Sequence, residues 1–185
     1  MERLPNWLTW ARLVAVPVVM VLIFIDDGRE GTARGWATVI FGVAAATDFL
    51  DGYLARRWHV VSSFGKLADP IADKALVLGT LLTLTIVDDM PWWPFAVLLL
   101  REVAVTVSRM RIRSTVIIPA SPVGKIKTML QLVSLGFFLL PGMPAYIDEI
   151  AWWMLIASVA LAIVSWADYE ARVIRARRSP ASDAS

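Results

Sequence analysis

Four aspartates stand at helical spacing in stretches that are otherwise largely apolar: Asp48 and Asp51, then Asp69 and Asp73. At 100° per residue, Asp48, Asp51, Gly52 and Ala55 fall within a stripe of about 100° on one helix face. Two carboxylates and two minimal side chains therefore look the same way, and the small residues let something bulky approach the backbone. Asp69 and Asp73 lie four apart and share a face as well. Four carboxylates converging on one place cannot all stay ionised without positive charge between them. Lys74 and Arg56 are the cations nearest in the sequence. A donor set of oxygens, with no His or Cys, favours a hard cation such as Mg²⁺ or Mn²⁺ over zinc. Two such ions about 3.5–4 Å apart would clamp an in-line displacement at phosphorus. Helix-end aspartates that merely cap or snorkel would explain one such residue, but not four at this spacing.

The elements that must position these groups are membrane spans. Of the 185 residues 58% are hydrophobic, and the mean hydropathy is +0.64. Soluble domains are about 45–50% apolar, and here the excess falls in long runs. Six runs approach the roughly 20 apolar residues that a crossing helix needs: 8–25, 35–56, 70–87, 92–110, 123–140 and 147–169. Asp27-Gly28, Met90-Pro91 and Pro141-Gly142 punctuate them as tight turns. Pro70 is expected in the first turn of the third helix, where its missing N–H costs little. No small-residue cleavage site follows the first run, so it reads as a span and not a signal peptide. The fold expected is an all-α integral membrane bundle of six transmembrane helices forming one domain over 1–178, with a short disordered tail at 179–185.

Charge placement orients the bundle. Arg3, Arg56, Arg57, Lys66, Arg109, Arg111, Arg113, Lys125, Lys127 and the basic residues of 172–178 fall on one side. Asp26, Asp27, Glu30, Asp88, Asp89, Asp148 and Glu149 fall on the other, with Arg29 and Arg34. The positive-inside rule then makes both termini cytoplasmic. Tryptophans agree: Trp7, Trp10, Trp58 and Trp166 mark the inner boundary, and Trp36, Trp92, Trp93, Trp152 and Trp153 the outer one. Each reads as an interface anchor. Gly42 with Ala44–Ala46 reads as a seam for close helix packing, and Asp168 and Glu170 are expected to pair with nearby arginines. His59, the one histidine, reads as a solvated or headgroup-facing residue. There is no cysteine for a disulfide, thiolate site or thiol nucleophile. A net charge of +2 gives no reason to expect a nucleic-acid partner.

Asp48-Phe49-Leu50-Asp51-Gly52-Tyr53-Leu54-Ala55-Arg56, then eight residues to Gly65, three to Asp69 and three to Asp73, resembles the signature of the CDP-alcohol phosphatidyltransferase family. That signature, D-x2-D-G-x2-A-R-x8-G-x3-D-x3-D, fixes eight positions, and all eight are met. At ordinary residue frequencies a chance match is on the order of one in a billion per starting position, so chance is set aside. The resemblance implies a six-span helical enzyme, usually a homodimer, in the inner (cytoplasmic) membrane, with its active site facing the cytoplasm. It implies that Asp48, Asp51, Asp69 and Asp73 hold two Mg²⁺ or Mn²⁺ ions, with Asp73 the general base. It implies contacts to the donor CDP-diacylglycerol from Gly52, Arg56 and Ser62. The segment Pro5-Asn6-Trp7-Leu8-Thr9 resembles the family's N-terminal stretch that lies against the nucleotide, which brings in Asn6 and Thr9.

The donor motif says little about the acceptor alcohol. Arg101, Glu102, Arg109, Arg111, Arg113, Lys125 and Lys127 flank the link between the fourth and fifth runs, on the side of the aspartates. A basic lining beside a metal site suits an anionic acceptor, most simply a phosphate; choline or ethanolamine would want carboxylates or an aromatic cage. Arg111 and Arg113 read as topology charges, whereas Arg101, Arg109, Lys125 and Lys127 are candidates for the acceptor phosphate. Arg101 lies in an apolar stretch beside Glu102. The strings Leu67-Ala-Asp-Pro-Ile-Ala-Asp-Lys74, Arg101-Glu-Val and Gly124-Lys-Ile-Lys-Thr-Met-Leu-Gln131 resemble the branch of the family that uses sn-glycerol 3-phosphate and releases CMP. Phosphatidylglycerol, in a cardiolipin-forming reaction, and an inositol phosphate are the alternative acceptors. A divalent-cation transporter would also place carboxylates in a membrane, but it would usually repeat the cluster in two halves, and here the cluster occurs once.

Overall fold

The computed structural model describes residues 3–26, 31–58, 65–112 and 122–178. These form six helices with no strand among them: α1 (Arg3–Phe24), α2 (Thr32–Trp58), α3 (Gly65–Val87), α4 (Trp93–Ile112), α5 (Pro122–Leu139) and α6 (Ala145–Arg178). Helices and expected runs agree in number and order. The expected tail, 179–185, lies outside the described residues, as does the Asp27-Gly28 turn.

Two differences in extent matter. α3 begins at Gly65, so Pro70 stands on its second turn and not its first. Counting only apolar residues misses the polar turn Gly65–Asp69, which continues the helix beyond its hydrophobic stretch. α6 likewise runs on to Arg178, because the charged segment after Tyr169 keeps good helix formers.

The links are short where the sequence predicts breaks. Gly142, after Pro141, takes φ 65°, the left-handed conformation glycine adopts without a Cβ penalty. Asp89 takes φ 50° in the link between α3 and α4, a conformation that Asp tolerates better than most residues.

α1 packs against α2 and α3, and α5 against α6, with α4 also on α6; α2–α5, α3–α4 and α3–α5 contacts join these groups. The shared core is aliphatic, with Val19, Ile23, Leu76, Leu81, Leu84, Leu135, Leu139 and Leu155 fully buried. α1 and α3 approach most closely at Gly79. A Cβ there would meet Met20 Sδ at 3.1 Å and Val16 Cγ1 at 3.2 Å. Gly42 does not serve as the expected seam: a Cβ there would meet nothing within 4 Å, and only Ala44 of the neighbouring alanines is buried. Helix phase decides this. Phe41 and Ala44 face inward, which turns Gly42 and Val43 away from the bundle.

Buried polar residues are frequent inside, among them Thr80, Thr83, Gln131, Ser134 and Ser158. Exposed aliphatic residues lie outside on every helix, including Val14, Val21, Val39, Val43, Leu100, Val103, Met129 and Val164. α6 carries the one described helix long and apolar enough to cross a bilayer, Ala145–Arg175, whose most apolar 18 residues have mean hydropathy 2.0. Shorter apolar stretches occupy Trp10–Phe24, Lys74–Val87 and Ile126–Leu139.

Candidate active site

Bonds between helices fix which ends lie together. Arg34, near the start of α2, pairs its guanidinium with the Asp88 carboxylate just past the end of α3. Its backbone N–H donates to Asp26 Oδ1 at 3.3 Å, just past the end of α1. Thr38 Oγ1 donates to the Leu139 carbonyl at 2.5 Å, where α5 ends. The start of α2 thus lies with the ends of α1, α3 and α5. Consequently the end of α2 (Asp48, Asp51, Gly52, Arg56) and the starts of α1 (Asn6, Thr9), α3 (Asp69, Asp73) and α5 (Lys125, Lys127) belong to the opposite end of the bundle.

Those positions are set by backbone. The side chains of Asn6, Thr9, Asp48, Asp51, Gly52, Arg56, Asp69, Asp73, Arg109 and Lys125 lie outside the described residues, and so does Ser62 altogether. Among the described residues no three His, Cys, Asp or Glu side chains gather to hold a metal. By residue type the four aspartates, two on α2 and two on α3, would offer carboxylate oxygens alone, a donor chemistry that fits a hard, octahedral cation.

Midway along α3 and α4, one residue on from Asp73, the described side chains form one charged cluster, centred on Glu102 of α4. Arg101 donates through Nη1 to Glu102 Oε1 at 2.5 Å, and Lys127 Nζ of α5 donates to the same oxygen at 2.8 Å. Lys74 Nζ of α3 stands 3.1 Å from Glu102 Oε2 and donates to Thr106 Oγ1 at 2.9 Å. Arg101 reaches α6 as well, donating through Nη2 to Ser165 Oγ at 3.1 Å. Lys127 is only 7% exposed and Glu102 and Arg101 13% each, whereas Lys74 is 31% exposed. Among the described residues, three cations face one carboxylate, an excess of two positive charges in a setting largely removed from solvent. A charge surplus held that way attracts an anion, and a phosphate monoester dianion would balance it.

Of the four residues expected to bind an acceptor phosphate, Arg101 and Lys127 are therefore brought together. Lys74 joins them, although its position beside Asp73 suggested only a local counter-charge. Glu102 holds all three. Ser165 had no signal in the sequence, being one polar residue among many on a helix 64 positions from Arg101. Glu170 departs from expectation: among the described residues it accepts from Ser108 Oγ at 2.5 Å and Trp166 Nε1 at 3.3 Å. Asp168 does pair with an arginine, Arg172, at 2.8 Å.

Between α1 and α2 lies a groove of about 330 Å³, lined mainly by Ala11, Ala15, Val39, Val43 and Ala44, with Arg12 and Thr47 beside them. Thr47 is the residue before Asp48, so this apolar groove runs up to the aspartate end of α2.

The CDP-alcohol phosphatidyltransferase family profile matches residues 2–164. A probable phosphatidylglycerophosphate synthase of Mycobacterium tuberculosis is 40% identical over 174 residues, covering 94% of this chain and 82% of the relative. The CDP-diacylglycerol–glycerol-3-phosphate 3-phosphatidyltransferase of Bacillus subtilis is 35% identical over 154 residues, 78% of this chain and 80% of the relative. A CMP-forming cardiolipin synthase of Streptomyces coelicolor is 42% identical over a shorter stretch of 99 residues, 54% of this chain and 46% of the relative.

Proposed function

Because the chain belongs to the CDP-alcohol phosphatidyltransferase family, we propose that it transfers the phosphatidyl group of CDP-diacylglycerol to sn-glycerol 3-phosphate, giving phosphatidylglycerophosphate and CMP. The observation that carries the choice of acceptor is the cluster of Lys74, Arg101 and Lys127 around Glu102, doubly positive among the described residues, with Lys74 next to Asp73 on α3. Relatives named for this reaction match most of the chain and support it.

Asp48, Asp51, Asp69 and Asp73 would hold two Mg²⁺ or Mn²⁺ ions. Bound there, the metal supplies Lewis-acid neutralisation of the charge that grows on the leaving CMP. Asp73 takes the proton from the acceptor hydroxyl. The hydroxyl oxygen then bonds to the phosphorus that carries diacylglycerol, the bond from that phosphorus to the CMP oxygen breaks, and CMP leaves with that electron pair. Asn6, Thr9, Gly52, Arg56 and Ser62 would seat the cytidine nucleotide. Arg101 and Lys127 orient the acceptor through its phosphate, with Arg109 and Lys125 the further candidates. The groove between α1 and α2 offers the donor's lipid portion an apolar surface that ends beside Asp48.

The same reading places the enzyme as a multi-pass homodimer in the inner membrane, with both termini and the active site on the cytoplasmic side. An exterior of aliphatic side chains over an interior with buried Thr, Ser, Gln, Lys and Arg is the arrangement lipid selects. Apolar side chains fill the core and cover the outside as well.

Purified protein supplied with Mg²⁺ and CDP-diacylglycerol is expected to release CMP with glycerol 3-phosphate and not with phosphatidylglycerol or inositol 1-phosphate. The partial match to a cardiolipin synthase favours phosphatidylglycerol as the second reading. Release with that lipid alone would move the assignment there while keeping the metal chemistry. No release with any acceptor would return the aspartates to cation transport.

A further inference from the structure

We propose that Glu102 is a positioning residue of the acceptor site: its carboxylate gathers Lys74, Arg101 and Lys127 into one phosphate receptor and so sets the affinity for the acceptor. The inference rests on the acceptor-phosphate reading above and adds the residue that builds that site. Three cations confined to one pocket repel one another, and on their own they would turn outward to water. Glu102 faces all three, Oε1 accepting from Arg101 and Lys127 while Oε2 faces Lys74. These cations come from α3, α4 and α5, and Arg101 extends the tie to Ser165 on α6. One carboxylate thereby connects four helices, about midway along α3 and α4 and next to the turn that carries Asp73. Lys74 directly follows Asp73 on α3, so anchoring Lys74 also fixes the helical turn that carries the proposed base.

Charge alone and positioning make opposite forecasts. Replacing the carboxylate by an amide raises the local charge by one unit. If only the field mattered, an anionic acceptor would then bind more tightly. If Glu102 holds the cations in register, the acceptor binds less tightly despite the added positive charge.

The test is steady-state CMP release by the full-length protein in detergent with Mg²⁺, varying glycerol 3-phosphate and CDP-diacylglycerol in turn, for the wild type, Glu102→Gln, Glu102→Asp and Lys127→Ala. Glu102→Gln is expected to raise the KM for glycerol 3-phosphate about tenfold or more, the scale of one lost charge-assisted contact. The KM for CDP-diacylglycerol should stay unchanged, and Glu102→Asp should recover part of the loss. If Glu102→Gln does not fold, Glu102→Asp carries the test by the same split between the two KM values. An acceptor KM that stays level or falls would overturn the proposal, and so would equal rises for both substrates. Should Lys127→Ala raise the acceptor KM while Glu102→Gln does not, the positioning role fails and the acceptor site stands. Should neither variant move it, the acceptor-phosphate reading fails and the proposal with it.

Discussion

Replacing Asp73 by Asn keeps the size of the side chain and removes its ability to take a proton. The variant is expected to fold and bind CDP-diacylglycerol but to lose CMP release by about 10²-fold or more, the usual worth of a positioned general base. Donor binding by calorimetry beside turnover checks it, and substantial retained turnover would take Asp73 out of the base role. Arg101→Ala should act differently, raising the acceptor KM while leaving donor binding intact; equal effects on both substrates would place Arg101 elsewhere. At this scale the sequence is most informative where cost is highest. Carboxylates and cations within apolar stretches must have partners, so Asp48, Asp51, Asp69, Asp73, Arg101 and Lys127 stand out by type and spacing alone. Ser165 and Thr106 do not, because a hydroxyl on a helix is cheap to carry and can bond its own backbone, as Thr106 does to the Glu102 carbonyl at 2.7 Å. Only the approach of another helix turns such a hydroxyl into part of a site.

Helix order and number follow from apolar runs and Pro/Gly punctuation, but the contacts between helices depend on phase, and phase is where expectation and structure part. Gly42 looked like a packing seam and faces open space, whereas Gly79 lets α1 settle against α3. Gly79→Leu should therefore push Met20 and Val16 aside and destabilise the bundle, by about 1–3 kcal/mol for an overpacked contact. Gly42→Leu should cost little, and thermal unfolding in detergent compares the two. Arg34 illustrates the same point through charge. In the sequence it is one of two basic residues on the acidic side; in the fold it is 1% exposed and staples α2 to Asp88 at the end of α3. Arg34→Met should destabilise the bundle, by about 1–3 kcal/mol, since it removes a buried guanidinium from the Asp88 carboxylate it pairs with. The double variant Arg34→Met/Asp88→Leu should regain part of that stability, because the carboxylate that faced the guanidinium is removed along with it. A double variant no more stable than the single one would show that the pair is not what holds these ends together.

For the whole molecule the deciding quantity is which solvent the surface meets. Trp36, Trp92 and Trp153 are 63%, 70% and 61% exposed, and all lie toward the starts of α2, α4 and α6. Trp93 and Trp152 meet edge to face at that end, with ring centroids 6.0 Å apart. Aromatic rings collected at one level, next to bare aliphatic flanks, suit the interface of a bilayer. The basic residues that flank the α4–α5 link and close α6 lie at the other end. This asymmetry predicts that the chain stays with membranes through carbonate washing and leaves them only in detergent. It also predicts a topology: six crossings would put the two termini on one side, and the basic links would assign that side to the cytoplasm. Cytoplasm-active and export-active reporters fused in turn after Arg178 should give signal for the first and none for the second. Moving the fusion into the acidic link after Asp88 should reverse both. Matching signals at the two sites would mean that α4, α5 and α6 do not cross in alternation, and the cationic cluster would then have to be reached from a different compartment than the nucleotide. A soluble acceptor such as glycerol 3-phosphate and the CMP that leaves must share one aqueous phase, so the topology test bears on the chemistry as directly as on the fold.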